Sequence, residues 1–431
     1  MSLLGALDTA ITGLNAQSSA FTNIGDDVAN SQTIGFKGTD TRFQDYLTSS
    51  TATQNLSGSV VATPEYQNTL QGTVTQSSVP LAMAITGQGF FPVSQSTGTN
   101  NGQPVFAAQQ QYTRAGDFQL DKQGYIVNGS GQYLNAWPVD AAGNVNKTQL
   151  SPVQVSQTSA NPQATSQITL AANLPATPST TASLTTQVPV YDALGTEHQL
   201  TLAWSQTTTP GSWQVQISSA DSTPQTIGTA TVSFGTGGAG ATPGLINSIT
   251  DPAGTTIPYA VGQPAAFNIS ANFGSGAQPI SLNLGTFGQS DGLTRFAGTD
   301  LSVKSVNQNG AAAGSFTGVS TTANGAVVMN FSNGQNTVIA QVPIVTFANP
   351  NALQRQNDQT FTATTASGAA SAQDPSSNGA GNLVIGSVES SNVDIAQEFS
   401  KLIIAQRAYS ANTKLVTTAD QMLQQTIDMK Q

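Results

Sequence analysis

With 431 residues the chain has room for two to four domains, and its makeup excludes several function classes at once. Charged residues are only 8% and the net charge is −10, with no Lys or Arg from Thr148 to Thr294, so a phosphate-neutralising basic patch and nucleic acid are excluded. Cysteine is absent, which removes disulfides, zinc-thiolate sites and thiol nucleophiles, and no run approaches the roughly 18 apolar residues of a membrane span.

In chain order, the first element is a helix from residue 3 to about 29. Leu4, Leu7, Ile11, Leu14, Ser18, Phe21, Gly25 and Val28 recur at alternating steps of three and four. That spacing draws a seam along one helical face, and the seam needs a partner. The first basic residue is Lys37, so the N-terminus lacks the basic region of a Sec-type signal. Residues 49–63, rich in Ser, Thr, Gln and Asn, read as an extended linker. From about Leu70 to Val145, short runs of period two alternate with Gly-containing turns, which is a β pattern.

A second β-rich region follows over about 151–288. In it "VPVYDALGTEHQLTLAW" reads as a hairpin turning at Asp192-Ala-Leu-Gly195. Beyond Leu293 regular β character returns, with turns at Asn309-Gly310, Asn324-Gly325 and Asn333-Gly334. A polar return linker covers 366–382. Ser390, Ser391 or Asn392 then caps a final helix. Its seam is Ile395, Phe399, Leu402, Gln406, Tyr409, Thr413, Val416, Asp420, Leu423 and Ile427, with Ile403, Ile404, Ala408 and Leu415 on a second face.

The fold class that follows is multi-domain α+β. Both chain ends form a terminal α-helical coiled-coil domain, and β-rich domains nest in the middle. The expected division is 1–30 with 389–431 as the helical domain, 31–69 with 366–388 as connecting segments, 70–147 with 289–365 as an inner β-domain, and 148–288 as an inserted outer β-domain. The two helices alone offer little burial for the chain they must order. They are expected to be disordered in the monomer and to fold among neighbours. The contact residues expected are Leu4, Leu7, Ile11, Leu14, Phe21, Val28, Ile395, Phe399, Leu402, Tyr409, Val416, Leu423 and Ile427.

Catalytic and metal chemistry finds no support. His198 is the only histidine and sits in the hairpin, so it is read as structural. Gly235-Thr-Gly237-Gly-Ala-Gly240 matches G-x-G-x-x-G, but Pro243 and Gly244 stand where a helix should begin. It is read as a loop. Asp117, Asp121 and Asp140 read as turn residues. No cofactor or metal is expected.

"ANSQTIGFKGTD" (Ala29 to Asp40) resembles the A-N-x-x-T-x-G-[FY]-K signature of the flagellar rod and hook axial protein family. "VESSNVDIAQEFSKLIIAQRAYSANTKLVTTADQMLQQTIDM", "ITGQGFFPV" and "YTRAGDFQLDKQGYIVN" resemble other shared segments of it. The hairpin at 188–204 and "SDGLTRFAGTDLSVKSVNQNG" through "QVPIVTFANPNALQRQ" are similar to its hook members, and the distal rod members are the alternative. The resemblance implies an extracellular structural subunit, not an enzyme. Such a subunit polymerises with itself into a helical tube that acts as a universal joint around an export channel. It leaves the cell by type III export without a cleaved signal. Partners implied are rod, hook-cap and hook–filament junction proteins and the export apparatus. The matching motif residues are Ala29, Asn30, Thr33, Gly35, Phe36 and Lys37. Of these, Gly35 is expected to turn the chain out of the helix. Asn30 should cap it, Ala29 should be small for packing, and Lys37 should meet a carboxylate or carbonyl of a neighbour. Two other classes compete. One is a surface adhesin or carbohydrate-binding β-protein using Trp204 and Trp213 in the insert. The other is a glycosidase drawing on Asp192, Glu197, Asp221 and Asp251.

Overall fold

The computed structural model describes residues 3–50, 55–178, 182–237 and 242–429. The chain divides into two compact units. The first is Met1–Gln157, Gly318–Met329 and Thr337–Gln431, and the second is Thr158–Thr317 with Asn330–Asn336.

In the first unit, helix α1 (Leu3–Ala29) and helix α2 (Ile395–Asp428) are the two ends of the chain. They run antiparallel. Gly13 faces Asn412, and Phe21 meets Tyr409 edge-on at 6.1 Å. The N-cap of α2 is Asp394, whose Oδ1 accepts from the backbone N–H groups of Ala396 and Gln397. The capping residue is therefore not Ser390, Ser391 or Asn392, because Asn392 is engaged elsewhere and Asp394 alone is placed to accept.

The linker reading of 49–63 is corrected. Strands β1 (Thr39–Ser50) and β2 (Asn55–Tyr66) form one long antiparallel hairpin, from Thr39↔Tyr66 to Ser50↔Asn55. Alternating Thr, Val and aromatic residues suit a strand whatever their polarity. The hairpin lies along α1, where Thr12 Oγ1 accepts from the Val60 N–H and Asn23 Nδ2 donates to Thr41 Oγ1. Residues 366–388 are likewise not a free linker. Ser371–Gln373 pairs with Ile344–Thr346, Asn382–Ile385 with Met83–Thr86, and Ser387–Glu389 with Val74–Gln76. Gln132–Pro138 lies at the centre of the main sheet, between Phe91–Asn100 and Asn336–Gln341. A core cluster of Phe90, Tyr112, Val345, Phe347, Leu353 and Phe361 packs beside it.

The second unit contains two sheets with one core. Six antiparallel strands run in sequence from Leu184–Tyr191 to Thr256–Pro258, and a four-stranded sheet is built on Gln167–Asn173. Inward residues alternate along the central strands, as in Val188, Val190, Leu200, Leu202 and Trp204, which share one core with Phe267, Ile280, Leu282 and Leu284. This unit runs to Thr317 instead of ending at 288, because Ser302–Gln308 pairs with Gln167–Asn173 over six residues. The hairpin turn falls at Asp192, whose Oδ1 accepts from the Leu194 and Thr196 N–H groups, with Gly195 at φ +82°.

Candidate functional site at the junction of the chain ends

Where α1 ends, the motif 29–37 folds into a set of turns. Asn30 donates from its backbone N–H and Nδ2 to the Asp26 carbonyl and accepts from Thr33 Oγ1, closing the helix as a cap. Gly35 has φ +71°, and a Cβ there would lie 2.4 Å from the Ala115 backbone nitrogen. Both facts require glycine. Its N–H donates to the Glu389 carbonyl at 2.8 Å. Ala29, expected to be packed, is exposed in the single chain.

Lys37 follows, and its ammonium is completely enclosed. Nζ donates to Glu389 Oε1 at 2.6 Å and to the Leu70 carbonyl at 2.7 Å. The other carboxylate oxygen of Glu389 accepts from Arg114 Nη1 at 3.0 Å, and Oε1 also accepts from the Gly72 N–H. Arg114 donates further to the Ile85 and Gly87 carbonyls. All three side chains are at most 3% exposed, so the cluster is shut off from bulk solvent. Burial pushes the Lys37 ammonium down to about 8 despite Glu389, and burial likewise lowers Arg114. One carboxylate here holds three chain segments together: the exit of α1, the β-domain at Arg114, and the entry to α2. Lys37, expected to meet a carboxylate or carbonyl of a neighbour, instead meets Glu389 and the Leu70 carbonyl within its own chain.

A second layer surrounds this clasp. The Arg355 guanidinium lies over the rings of Tyr66 (5.0 Å) and Phe36 (5.6 Å) and donates to the carbonyls of Lys37 and Gly38. Asn392 accepts from the Gly38 N–H at 2.7 Å and donates to the Gln67 and Leu70 carbonyls. Lys401 bridges Asp40 and Glu398 at 3.0 and 2.8 Å. Burial lowers its affinity for a proton, but those two carboxylates outweigh it and hold the ammonium up. Asp27 is buried, with both carboxylate oxygens accepting from the Thr39 N–H at 3.0 Å. Desolvation, aided by nearby Glu398, pushes it up to about 6.

Asp27 sets a pH dependence. Its folded value lies above the ordinary 3.8, so the folded chain holds the proton that the unfolded chain gives up. The stabilisation is fully present below the unfolded value and is lost as pH rises through about 6. Asp27→Asn removes this slope. The stability difference, wild type minus Asp27→Asn, is expected to fall by roughly 3 kcal/mol between acid and neutral pH. Hydrogen exchange at Thr39 in both proteins would measure it. A difference that stays flat or rises contradicts the assignment.

The expected seam residues divide. The face of α1 turned into the chain is Ala10, Gly13, Ala16, Ala20, Ile24 and Asp27. It sits one position away from the expected seam. Leu7, Leu14, Phe21 and Val28 are half-buried and Ile11 is 41% exposed, while the side chain of Leu4 lies outside the described residues. On α2 only Glu398, Ala405 and Ala419 are buried. Leu402, Val416 and Leu423 are half-buried. Ile395, Phe399, Tyr409 and Ile427 stay exposed at 40, 51, 42 and 62%, as do Ile403, Ile404, Leu415 and Met422. Phe21 and Tyr409 meet across the helix pair, while most other large seam residues lie beside a buried face made largely of small residues. A cleft of about 170 Å³ remains between Ala20, Ile24, Phe43, Ile404 and Ala405. Among the described residues no helix is long and apolar enough to cross a membrane.

The other candidate residues are structural. Trp204 and Trp213 are only 0 and 1% exposed, so they fill the core of the second unit and offer no ring to a sugar. His198 stacks on Phe273 at 4.2 Å, between Asp221 (3.1 Å) and Asp192 (3.5 Å). Asp192 and Asp251 accept from turn N–H groups, and the Gly238–Ala241 part of the glycine-rich run lies outside the described residues. Among the described residues no group of acidic and histidine side chains is arranged to hold a metal. The clasp partner Arg114 and its carboxylate Glu389 were not singled out by spacing or motif. The available signal was charge scarcity, since a Glu within "SVESS" of so uncharged a chain needs a reason.

Three family models match the chain: a flagellar basal body rod FlgEFG protein C-terminal model at 385–429, a flagellar basal body protein FlaE D2 domain at 157–311, and a flagellar hook protein FlgE/F/G D1 domain at 84–174. A flagellar hook protein FlgE of Brucella suis is 31% identical over 100% of both chains. That of Salmonella typhimurium is 29% identical over 98% of this chain and 99% of its own. A crystal structure of Helicobacter pylori flagellar hook protein FlgE2 aligns at TM-score 0.48 and 13% identity, covering 72% of this chain and 98% of that one.

Proposed function

This chain belongs to the flagellar hook protein family, and from that premise we propose how its parts serve the tube. It is a structural subunit of the extracellular flagellar hook. The observation that carries the reading of mechanism is the exposed apolar surface of α2, where Ile395, Phe399, Ile404, Tyr409, Leu415 and Ile427 stay uncovered. A single helix pair with that much exposed apolar area is a partner surface. The two chain ends form a coiled-coil pair that completes its burial only among neighbouring copies, lining the export channel. Leu4, Leu7, Ile11, Leu14, Phe21, Val28 and their counterparts on α2 are the inter-subunit contacts. The pair stands within each chain, with Phe21 against Tyr409, and assembly adds the burial it lacks.

The clasp gives the second half of the mechanism. Torque arriving at the helical layer has to reach the β-strands of the first unit, and the buried Lys37–Glu389–Arg114 cluster links the helix ends to them. Away from α2, the chain is rich in Ser, Thr, Asn and Gln, with charged residues only 8% of the whole sequence. Water-bridged Ser, Thr, Asn and Gln contacts exchange at small cost, which suits β-layers that slide as the curved tube rotates as a universal joint. The connecting role of 31–69 with 366–388, an inner β-domain and an outer insert follow the same plan. Rod, hook-cap and junction proteins meet the ends of the tube, and the type III apparatus exports the chain.

Immunogold microscopy of isolated flagella with antibodies against residues 182–237 tests this. Label on the short curved segment between rod and filament is expected. Label on the straight rod moves the chain to the distal rod alternative. No label on any flagellar part, with an antibody that binds the free chain, removes the outer-insert assignment.

A further inference from the structure

The chain contains six Asn-Gly pairs, at Asn101, Asn128, Asn309, Asn324, Asn333 and Asn378. In such a pair the glycine amide nitrogen can attack the Asn side-chain carbonyl, because no Cβ obstructs the approach. The attack needs a free glycine N–H and a mobile Asn side chain, and the fold withholds one or both at five of the six.

Asn128 is buried, its Oδ1 accepts from the Gln132 N–H, and the Gly129 N–H donates to Asp117. Asn309 bonds Ser166 and Gln167, and the Gly310 N–H is held by Gln308. The Gly325 and Gly334 N–H groups donate to the Thr322 and Phe331 carbonyls, and Asn333 also donates to the Ala312 carbonyl. Asn378 is exposed, but its Nδ2 is bonded to Gln373 at 2.9 Å. Asn101 differs from all of these. It forms the tip of the hairpin Phe91–Asn100/Gln103–Phe106, with Asn101 at φ +51° and Gly102 at φ +78°. Both residues are exposed, a Cβ on Gly102 would meet nothing within 4 Å, and among the described residues neither the Asn101 side chain nor the Gly102 N–H has a partner.

We propose that Asn101 is a site of spontaneous deamidation, the first in this chain to convert. The Gly102 nitrogen loses its proton to solvent base and forms a bond to Cγ of Asn101. The Cγ–Nδ2 bond breaks and ammonia leaves, giving a cyclic imide. Water then opens the ring at either carbonyl, yielding aspartate or isoaspartate. One water is consumed and one ammonia released, a gain of about one dalton. The product adds one negative charge to a chain at −10. The isoaspartate form also puts an extra backbone methylene into a two-residue turn, where strand register depends on turn length. Attack at Asn101 requires only fraying of a hairpin tip. At the other sites it requires breaking named hydrogen bonds first.

The test is peptide mapping by mass spectrometry, with isoaspartate detection, of the purified full-length chain aged in mildly alkaline buffer. Conversion at Asn101 is expected to run at least about tenfold faster than at Asn128 or Asn309. Asn101→Ser should remove the earliest mass gain. In urea the six rates should converge. Asn101 reacting no faster than Asn309 in the folded chain overturns the proposal. So does an Asn101 lead that persists unchanged in urea, since the fold would then not be its cause.

Discussion

Glu389→Ala should lower the stability of the first unit by about 3–5 kcal/mol. The change removes one carboxylate and leaves two enclosed cations, Lys37 and Arg114, with no counter-charge. It also strips the Gly72 N–H of its acceptor. Glu389→Gln retains an acceptor of the same shape and should cost less, because only the charge is lost. The triple replacement of Lys37, Arg114 and Glu389 by Met should cost less than Glu389→Ala, since apolar groups can occupy a dry site without unpaired charge. The measurement is hydrogen exchange resolved by segment under mild denaturant. Protection at Val74–Gln76 and Ser387–Glu389, which pair across the clasp, should collapse, while the core strands of the second unit hold theirs. Those strands are the internal control, since a chain of two units does not unfold as one transition. A loss under about 1 kcal/mol at the clasp, or equal loss in both units, would contradict the role given to Glu389.

Much of this architecture was legible in the residues, and the misreadings have definite causes. Hairpins marked by Asp192-Ala-Leu-Gly195, Asn324-Gly325 and Asn333-Gly334 form at those places, because turn chemistry is local. The unit boundary at Thr317, and not 288, depends on a pairing between Gln167–Asn173 and Ser302–Gln308. No local pattern announces a partner about 135 residues away. The polar stretch 49–63 reads as a linker by composition, yet its Thr and Val residues pair along a long hairpin. The helical seam includes Phe21 and Tyr409, which meet between the two helices, but it leaves out the small residues buried beside them. Large residues such as Leu7, Phe21 and Phe399 marked the periodicity, whereas Ala16, Ala20 and Ala405 are buried and Gly13 faces Asn412. Small residues let helix backbones approach, and they carry little weight in a hydrophobic pattern. The clasp joins positions 37, 114 and 389, and only the family motif pointed to the first of them.

That displacement of the seam sets the last expected result. Phe399→Ser combined with Ile427→Ser should leave the isolated chain as stable as the wild type, within about 0.5 kcal/mol, because both side chains are more than half exposed there. Polymerisation should fail. Each residue is worth roughly 1.5–3 kcal/mol when fully buried, so the pair would raise the concentration needed for assembly by a hundredfold or more. Every subunit in a tube would carry the same loss. Gly13→Val is the converse case. Gly13 is buried, and a Cβ there would lie 2.9 Å from Asn412 Nδ2, so the larger side chain should disturb the helix pair within each chain before assembly begins. Seeded polymerisation of the purified chains, followed by light scattering, separates the two, with circular dichroism reporting on the monomers. If Phe399→Ser/Ile427→Ser chains extend seeds as readily as wild type, the exposed face of α2 is not the inter-subunit surface, and the cleft beside Ile404 and Phe43 becomes the next surface to alter.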